Sequence, residues 1–290
     1  MRLKKLLVFC VSLVLISSCG SDFKQLASGF ELRKIESKGG DAPKDAEAIS
    51  VHMNIAIDDS LVIDSRELYP IGRRLAMNNM WPDFKDVLRR VGKGDSIQVR
   101  MSLAQYAKLE GRSTALRDSS AVVLMSIRVL DVDDEAKLIE KMVNDQLNYE
   151  IEQIERYLIN NNLEAERTEE GVYYIISRQG DGDFVSEKDN VSSYFTLRLL
   201  DGRVLASTDE EINRSNGLHT EGREYGPYEF TLTRDRSLEG WRIGVPKLRE
   251  GGSGTLFIPS RYAFGVNGIS GSIAPNTTVV YDIEILDLNK

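Results

Sequence analysis

The sequence predicts an α+β fold: two sets of strands, each around one short helix, on either side of a long helix. Three observations carry this. Ile49-Val51-Met53-Ile55-Ile57 and Ile97-Val99-Met101 alternate with a period of two, and Phe84, Val87, Leu88 and Val91 between them recur at helical spacing. Ile139, Val143, Leu147, Ile151, Ile154 and Leu158 recur every three or four residues, with no Pro or Gly among them. From residue 167 onward the strand pattern returns.

The elements follow in chain order. Arg2, Lys4 and Lys5 precede a short apolar run over residues 6–16, which reads as the hydrophobic region of a signal peptide spanning residues 1–19. It ends Ile16-Ser17-Ser18-Cys19-Gly20, which resembles a bacterial lipobox and implies a lipid on Cys19. An ordinary secretory signal cleaved nearby is the alternative. Residues 20–47 are rich in Ser, Gly, Lys, Asp and Glu and predict a tether, with a short strand around Phe30-Leu32-Lys34 as the alternative. Residues 48–132 make the first α+β unit and end in the longest β-branched run, 121–132. Asp133-Asp134 opens a helix and Asn160-Asn161-Asn162 stops it, so residues 133–166 connect two units. A dimerisation helix over 133–163 is the second reading, although the stripe is short for a coiled coil. Gly171-Val172-Tyr173-Tyr174-Ile175-Ile176 is a strand, Gly180-Asp181-Gly182-Asp183 a turn, 191–200 a strand, and Asp201-Gly202 a turn into Arg203-Val204-Leu205.

Composition excludes several classes. A net charge of −8 argues against a nucleic-acid partner. The only cysteines are Cys10, inside the signal, and Cys19, so the processed chain would carry no disulfide. With His52 and His219 the only histidines, a Cys/His zinc site is ruled out, and no calcium-loop spacing is present. No metal or cofactor is expected.

Residues 240–288 carry the functional signal. They open Gly240-Trp241, reach Gly251-Gly252, and run through Thr255-Leu256-Phe257-Ile258 to Tyr262-Ala263-Phe264-Gly265. Ile273-Ala274-Pro275 then leads into Val279-Val280-Tyr281-Asp282-Ile283-Glu284-Ile285-Leu286. This order and spacing resemble the second half of an FKBP domain, and 167–290 fits the whole domain. The resemblance implies an antiparallel half-barrel sheet wrapped around a short helix, and peptidyl-prolyl cis-trans isomerase activity in an apolar pocket without a cofactor. By motif, Trp241 is the floor under the proline ring and the Leu238 N–H holds the bound carbonyl. Phe195 and Phe264 complete the catalytic set, with Leu205, Ala206, Tyr228, Ser237, Ile273 and Tyr281 binding substrate.

Residues 48–132 resemble a divergent copy of the same plan, giving two FKBP-like domains joined by a long helix. Phe84 stands ten residues before Gly94, as Trp241 stands ten before Gly251. Tyr106-Ala107 parallels Tyr262-Ala263, and Asp64 takes the place of the family's carboxylate. Phe84 for Trp, Lys108 for the second Tyr, and the missing Ile-Ala-Pro segment imply that this copy binds or scaffolds.

The second copy departs from the family at three places. Phe195 replaces a Tyr, Leu205-Ala206 replaces Phe-Asp, and Phe264 replaces a Tyr. One carboxylate and two hydroxyls are lost together, which predicts reduced rather than abolished activity. The expected partners are proline-containing unfolded or partly folded envelope proteins, with the membrane reached through the lipid. The expected location is the cell envelope, with Gly20 after Cys19 compatible with the outer membrane facing the periplasm. A non-catalytic chaperone or peptide-binding module is the alternative function.

Overall fold

A computed structural model describes residues 23–109, 121–233 and 237–289. The first sheet holds β1 (Lys24–Gln25), β2 (Glu31–Glu36), β3 (Glu47–Ile57), β4 (Ser60–Asp64), β5 (Arg73–Ala76), β6 (Ser96–Ser102) and β7 (Val122–Asp134). With it go the helices α1 (Ser65–Leu68), α2 (Pro82–Leu88) and α3 (Leu103–Leu109). The long helix α4 (Glu135–Asn160) follows. The second sheet holds β8 (Glu166–Arg167), β9 (Tyr173–Arg178), β10 (Asn190–Leu199), β11 (Val204–Ser207), β12 (Tyr228–Thr231), β13 (Ser253–Ile258) and β14 (Val279–Asn289). Its helices are α5 (Glu210–Ser215) and α6 (Glu239–Gly244). All strand pairs are antiparallel, which confirms the α+β class.

The two sheets are copies of one plan. The first runs β1-β2-β6-β7-β3-β4 with β5 beside β3, and the second runs β8-β9-β13-β14-β10-β11 with β12 beside β10. Their irregularities also correspond. The pairing slips between Ser50 and Val51 as between Ser192 and Ser193, and between Ile55 and Ala56 as between Leu197 and Arg198. It slips again at Lys34/Glu36 as at Ser253/Gly254. A bulge is a placed feature of a strand, so shared bulges argue for duplication more strongly than shared strand order does.

The predicted tether needs correcting. Residues 24–36 form β1 and β2, and β2 pairs with β6 along Glu31–Glu36. Phe30 and Leu32 are buried in the first core, while the polar neighbours at this sheet edge stay at the surface. The alternation covers too few residues to stand out from its charged surroundings, and only the waiting edge of β6 makes it a strand. The signal peptide and Cys19 lie outside the described residues.

The first core packs α2 against the inner face of its sheet through Phe84, Val87 and Leu88. Met53, Met77, Met101 and Met125 fill the space around them. In the second half α6 takes the same position, with Trp241 and Val245 against Leu256, Ile258, Tyr281 and Ile283. Gly240 is required there. A Cβ on it would lie 2.2 Å from Ile258 Cγ2, so only glycine lets α6 lie this close to β13.

Helix α4 is not a bare spacer. Asp134 caps it, accepting from the Ala136 and Lys137 N–H groups at 3.0 and 3.3 Å. Its first turns sit on β3 and β7 of the first sheet, with Leu138 buried and Lys141 Nζ 2.8 Å from Asp131. Its second half lies on the outer face of the second sheet, where Ile151, Ile154 and Leu158 pack with Tyr173, Phe257 and Val280. This explains the unbroken apolar run Leu256-Phe257-Ile258, which is buried on both faces. Ile139, by contrast, is 41% exposed, and Leu138 takes the buried place in the first turn.

Candidate functional site

Trp241 stands at the centre of the second half. Phe230, Tyr281, Phe195 and Tyr228 surround it, with ring centroids 4.7, 5.1, 5.3 and 6.5 Å away. Interplanar angles of 63–84° make all four contacts edge-to-face, the arrangement favoured by ring quadrupoles. Strand register places the rings. Phe195 pairs with Ile283 and Leu197 with Tyr281, so Phe195 and Tyr281 share the inner face of adjacent strands. Tyr228 and Phe230 alternate on β12, two residues apart.

The indole is 5% exposed, as are Phe230 and Tyr281, and Ile273 is 3% exposed. Tyr228 is the open member at 45%. Leu205, Ala206, Leu238, Phe264 and Phe195 are half-buried against the same core. The expected pocket residues therefore converge on one core, with Tyr228 at its open edge.

Donors in the site are few. Leu238 precedes α6, and its carbonyl accepts from the Trp241 and Arg242 N–H groups at 3.1 and 3.2 Å. Its own N–H has no acceptor among the described residues. The Trp241 indole N–H is buried and likewise unpartnered among them. Ser237, expected to bind substrate, turns its hydroxyl to the Thr233 carbonyl at 3.1 Å. Burial, with Tyr228 alongside, pushes the Tyr281 hydroxyl far above the ordinary tyrosine range, so it stays neutral.

At the position of the family carboxylate, Ala206 faces Leu197 across the β10–β11 pair. The hydroxyls beside it serve the strands. Ser207 Oγ lies 2.9 Å from Thr196 Oγ1, and Thr208 Oγ1 accepts from the Phe195 N–H at 2.9 Å.

The equivalent place in the first half differs from the sequence reading. Asn54 pairs with Asp64 as Thr196 pairs with Ser207, so Asp64 corresponds to Ser207 and Ile63 to Ala206. The turn after Ile57 holds two residues where the turn after Leu199 holds three, so the alignment shifts by one residue, which turns a side chain to the other face of a strand. Asp64 caps α1, accepting from the Arg66 N–H at 2.9 Å, and pairs with the Arg66 side chain. Those hydrogen bonds hold its carboxyl down to about 2. It is a structural cap, and Phe84 is buried in a core of mostly aliphatic and methionine side chains with Phe30.

Two residues were not singled out from the sequence. Phe230 makes the shortest ring contact with Trp241, and its period-two relation to Tyr228 was the available signal. Glu150 of α4 is buried at 2% exposure against the segment that carries Phe264 and Ile273, and no local pattern marks it.

Comparison with known proteins gives the family. A family model for FKBP-type peptidyl-prolyl cis-trans isomerase matches residues 182–286. The FK506-binding protein 1 of Saccharomyces cerevisiae is 32% identical over 111 residues, which cover 38% of this chain and 86% of the yeast protein. The probable FKBP-type peptidyl-prolyl cis-trans isomerase FkpA of Neisseria meningitidis is 30% identical over 187 residues, covering 64% of this chain and 62% of its own. A probable isomerase of Haemophilus influenzae is 30% identical over 126 residues but is covered over only 46% of its length, so the chain spans about half of these bacterial relatives. The crystal structure of FkpA from Escherichia coli matches with a TM-score of 0.37 at 24% identity, covering 53% of this chain and 68% of that one.

Proposed function

We propose, from the premise that this chain belongs to the FKBP-type peptidyl-prolyl cis-trans isomerases, that its second half catalyses prolyl isomerisation. The observation that carries this is the ring cluster around Trp241 beside a Leu238 N–H that has no acceptor among the described residues.

Rotation about the amide is opposed by a barrier of about 18–20 kcal/mol. The twisted amide has lost resonance, so its oxygen carries less negative charge than in either planar form. Surroundings that exclude water favour that state relative to the planar ones, and this differential binding is catalysis. The proline ring lies on the Trp241 face, with Ile273, Tyr281 and Tyr228 as walls. The Leu238 N–H holds the carbonyl of the bound residue. No nucleophile is needed, since no covalent bond breaks.

The substrates in this reading are proline-containing, unfolded or partly folded proteins of the cell envelope. Cys19 carries the lipid that holds the protein there, and the first half scaffolds. A protease-coupled assay with a proline peptide tests the activity, with FK506 quenching of Trp241 fluorescence as an independent reading of the cleft. Cys19→Ala should release the protein from membranes or leave it uncleaved, and wild-type fractionation would refute the anchor. One observation favours a non-catalytic chaperone instead: Ala206 stands where the family resemblance places an Asp. Suppressed aggregation of an unfolded client without turnover would establish that second reading.

A further inference from the structure

Glu150 lies in the middle of α4, yet its carboxylate serves the second half. Oε1 accepts from the Ser260 hydroxyl at 2.6 Å and from Gln146 Nε2 at 2.7 Å. Oε2 accepts from the Ser260 backbone N–H and from the Thr278 hydroxyl at 2.9 Å. The side chain is 2% exposed, and no cation pairs with it among the described residues. A buried carboxylate without a cation is costly unless its lone pairs are taken up, and here four donors take them up.

The placement of these donors is informative. Ser260 opens the segment between β13 and β14, and Thr278 closes it, one residue before Val279 begins β14. That segment supplies Tyr262, Ala263, Phe264 and Ile273 to the Trp241 core. Between its ends it is held mainly by its own bonds, such as the Asn276 N–H to the Gly265 carbonyl at 2.9 Å, and Val266 at its tip is 67% exposed. One carboxylate on the connecting helix thus ties down both feet of this wall of the cleft. The other end of the same helix is fixed to the first sheet by Leu138 and the Lys141–Asp131 pair.

We propose that Glu150 is a positioning residue for the prolyl cleft: it holds the 260–278 wall in its binding-competent place from the connecting helix. This rests on the reading that the cleft takes a prolyl peptide. If the wall is released, only a fraction of molecules present a competent cleft. The apparent affinity falls by that fraction, while the bound complex turns over as before. Loss of Glu150 should therefore raise KM and leave kcat unchanged. General destabilisation does the opposite, since it removes active molecules and lowers kcat at constant KM.

The test uses the full chain and two measurements, hydrogen exchange of the 260–278 amides and steady-state isomerisation. Glu150→Ala should speed exchange across that segment about tenfold, leave α6 protected, and raise KM roughly three- to tenfold. Glu150→Gln keeps one acceptor for the Ser260 N–H, and its amide can donate to hydroxyls that reverse, so it should recover most of both effects. Thr278→Val should act in the same direction and add little to Glu150→Ala, as groups sharing one contact do. Unchanged exchange in Glu150→Ala overturns the proposal, as does a fall in kcat with KM unchanged. Should Glu150→Ala fail to fold, Ser260→Ala and Thr278→Val remove donors from the wall side and are judged by the same criteria. A wild type without turnover would refute the isomerase reading alone, because exchange would still decide the clamp.

Discussion

The floor of the cleft can be tested by substitution at Trp241, provided the substitution leaves the fold intact. Trp241→Ala does not suit. The indole is 5% exposed and meets rings at 4.7, 5.1 and 5.3 Å, so truncation should cost about 3–5 kcal/mol. A domain holds only about 5–15 kcal/mol in total, and Tm should fall by roughly 10–20 °C. Lost activity would then report unfolding. Trp241→Phe keeps an aromatic ring at the same place. The indole N–H has no partner among the described residues, so its removal breaks no hydrogen bond there. Aromatic side chains bury about 150–250 Å² each, so the shorter ring gives up roughly 50 Å² of contact with a bound proline. At about 25 cal/mol per Å² that is near 1.3 kcal/mol, or about tenfold in kcat/KM. The assay is protease-coupled turnover of a proline peptide, with a thermal melt of each variant beside it. The reasoning is refuted if Trp241→Phe melts within a few degrees of wild type and keeps full kcat/KM. The converse change in the first half, Phe84→Trp, should confer no activity, because that core has no ring cluster like that around Trp241 among the described residues and its Asp64 caps α1.

Three further outcomes follow from the packing. A fragment starting near residue 165 loses Ile151, Ile154 and Leu158 from the outer face of the second sheet, so it should melt well below one starting near 134. Ile154→Ala in the full chain should cost about 2–5 kcal/mol by denaturant titration, and equal stability of the two fragments would contradict the role given to α4. Ala206→Asp with Phe264→Tyr should raise kcat/KM several-fold, about 1.4 kcal/mol for tenfold, at some loss of Tm because the carboxylate enters a largely apolar site. A folded double variant no faster than wild type would show that the missing polar groups are not limiting. Burial pushes the Asp131 carboxyl up, but hydrogen bonds from Lys141 and Lys93 outweigh it and hold it below the ordinary range. Its contribution is therefore present above the usual Asp pKa of about 3.9 and lost as pH falls through and below it. Protection factors in the first turns of α4, taken relative to the intrinsic exchange rate at each pH, should be lower at pH 3 than at pH 7, and Lys141→Met should shrink that difference; an unchanged difference would remove Asp131 from this contact.

The sequence alone determined what depends on neighbours within a few residues. The alternation of β3 and β6, the Asp134 cap of α4 and the Asp201-Gly202 turn are all local, and Gly202 does take a φ of +87°. The Gly240-Trp241 spacing also pointed to the ring cluster, because the residues of one motif are held by one short helix and the strands beside it. Tertiary structure decided whatever depends on a distant partner. Residues 31–36 become a strand only because β6 offers an edge, and the position of Asp64 was set by a strand register that pairing alone reveals. The close packing of Phe230 and Tyr281 on Trp241 is a matter of how sheet and helix meet. By local pattern Glu150 is one more charge on an amphipathic helix. Its donors Ser260 and Thr278 lie 110 and 128 residues further along the chain, and no local pattern can carry information over that separation.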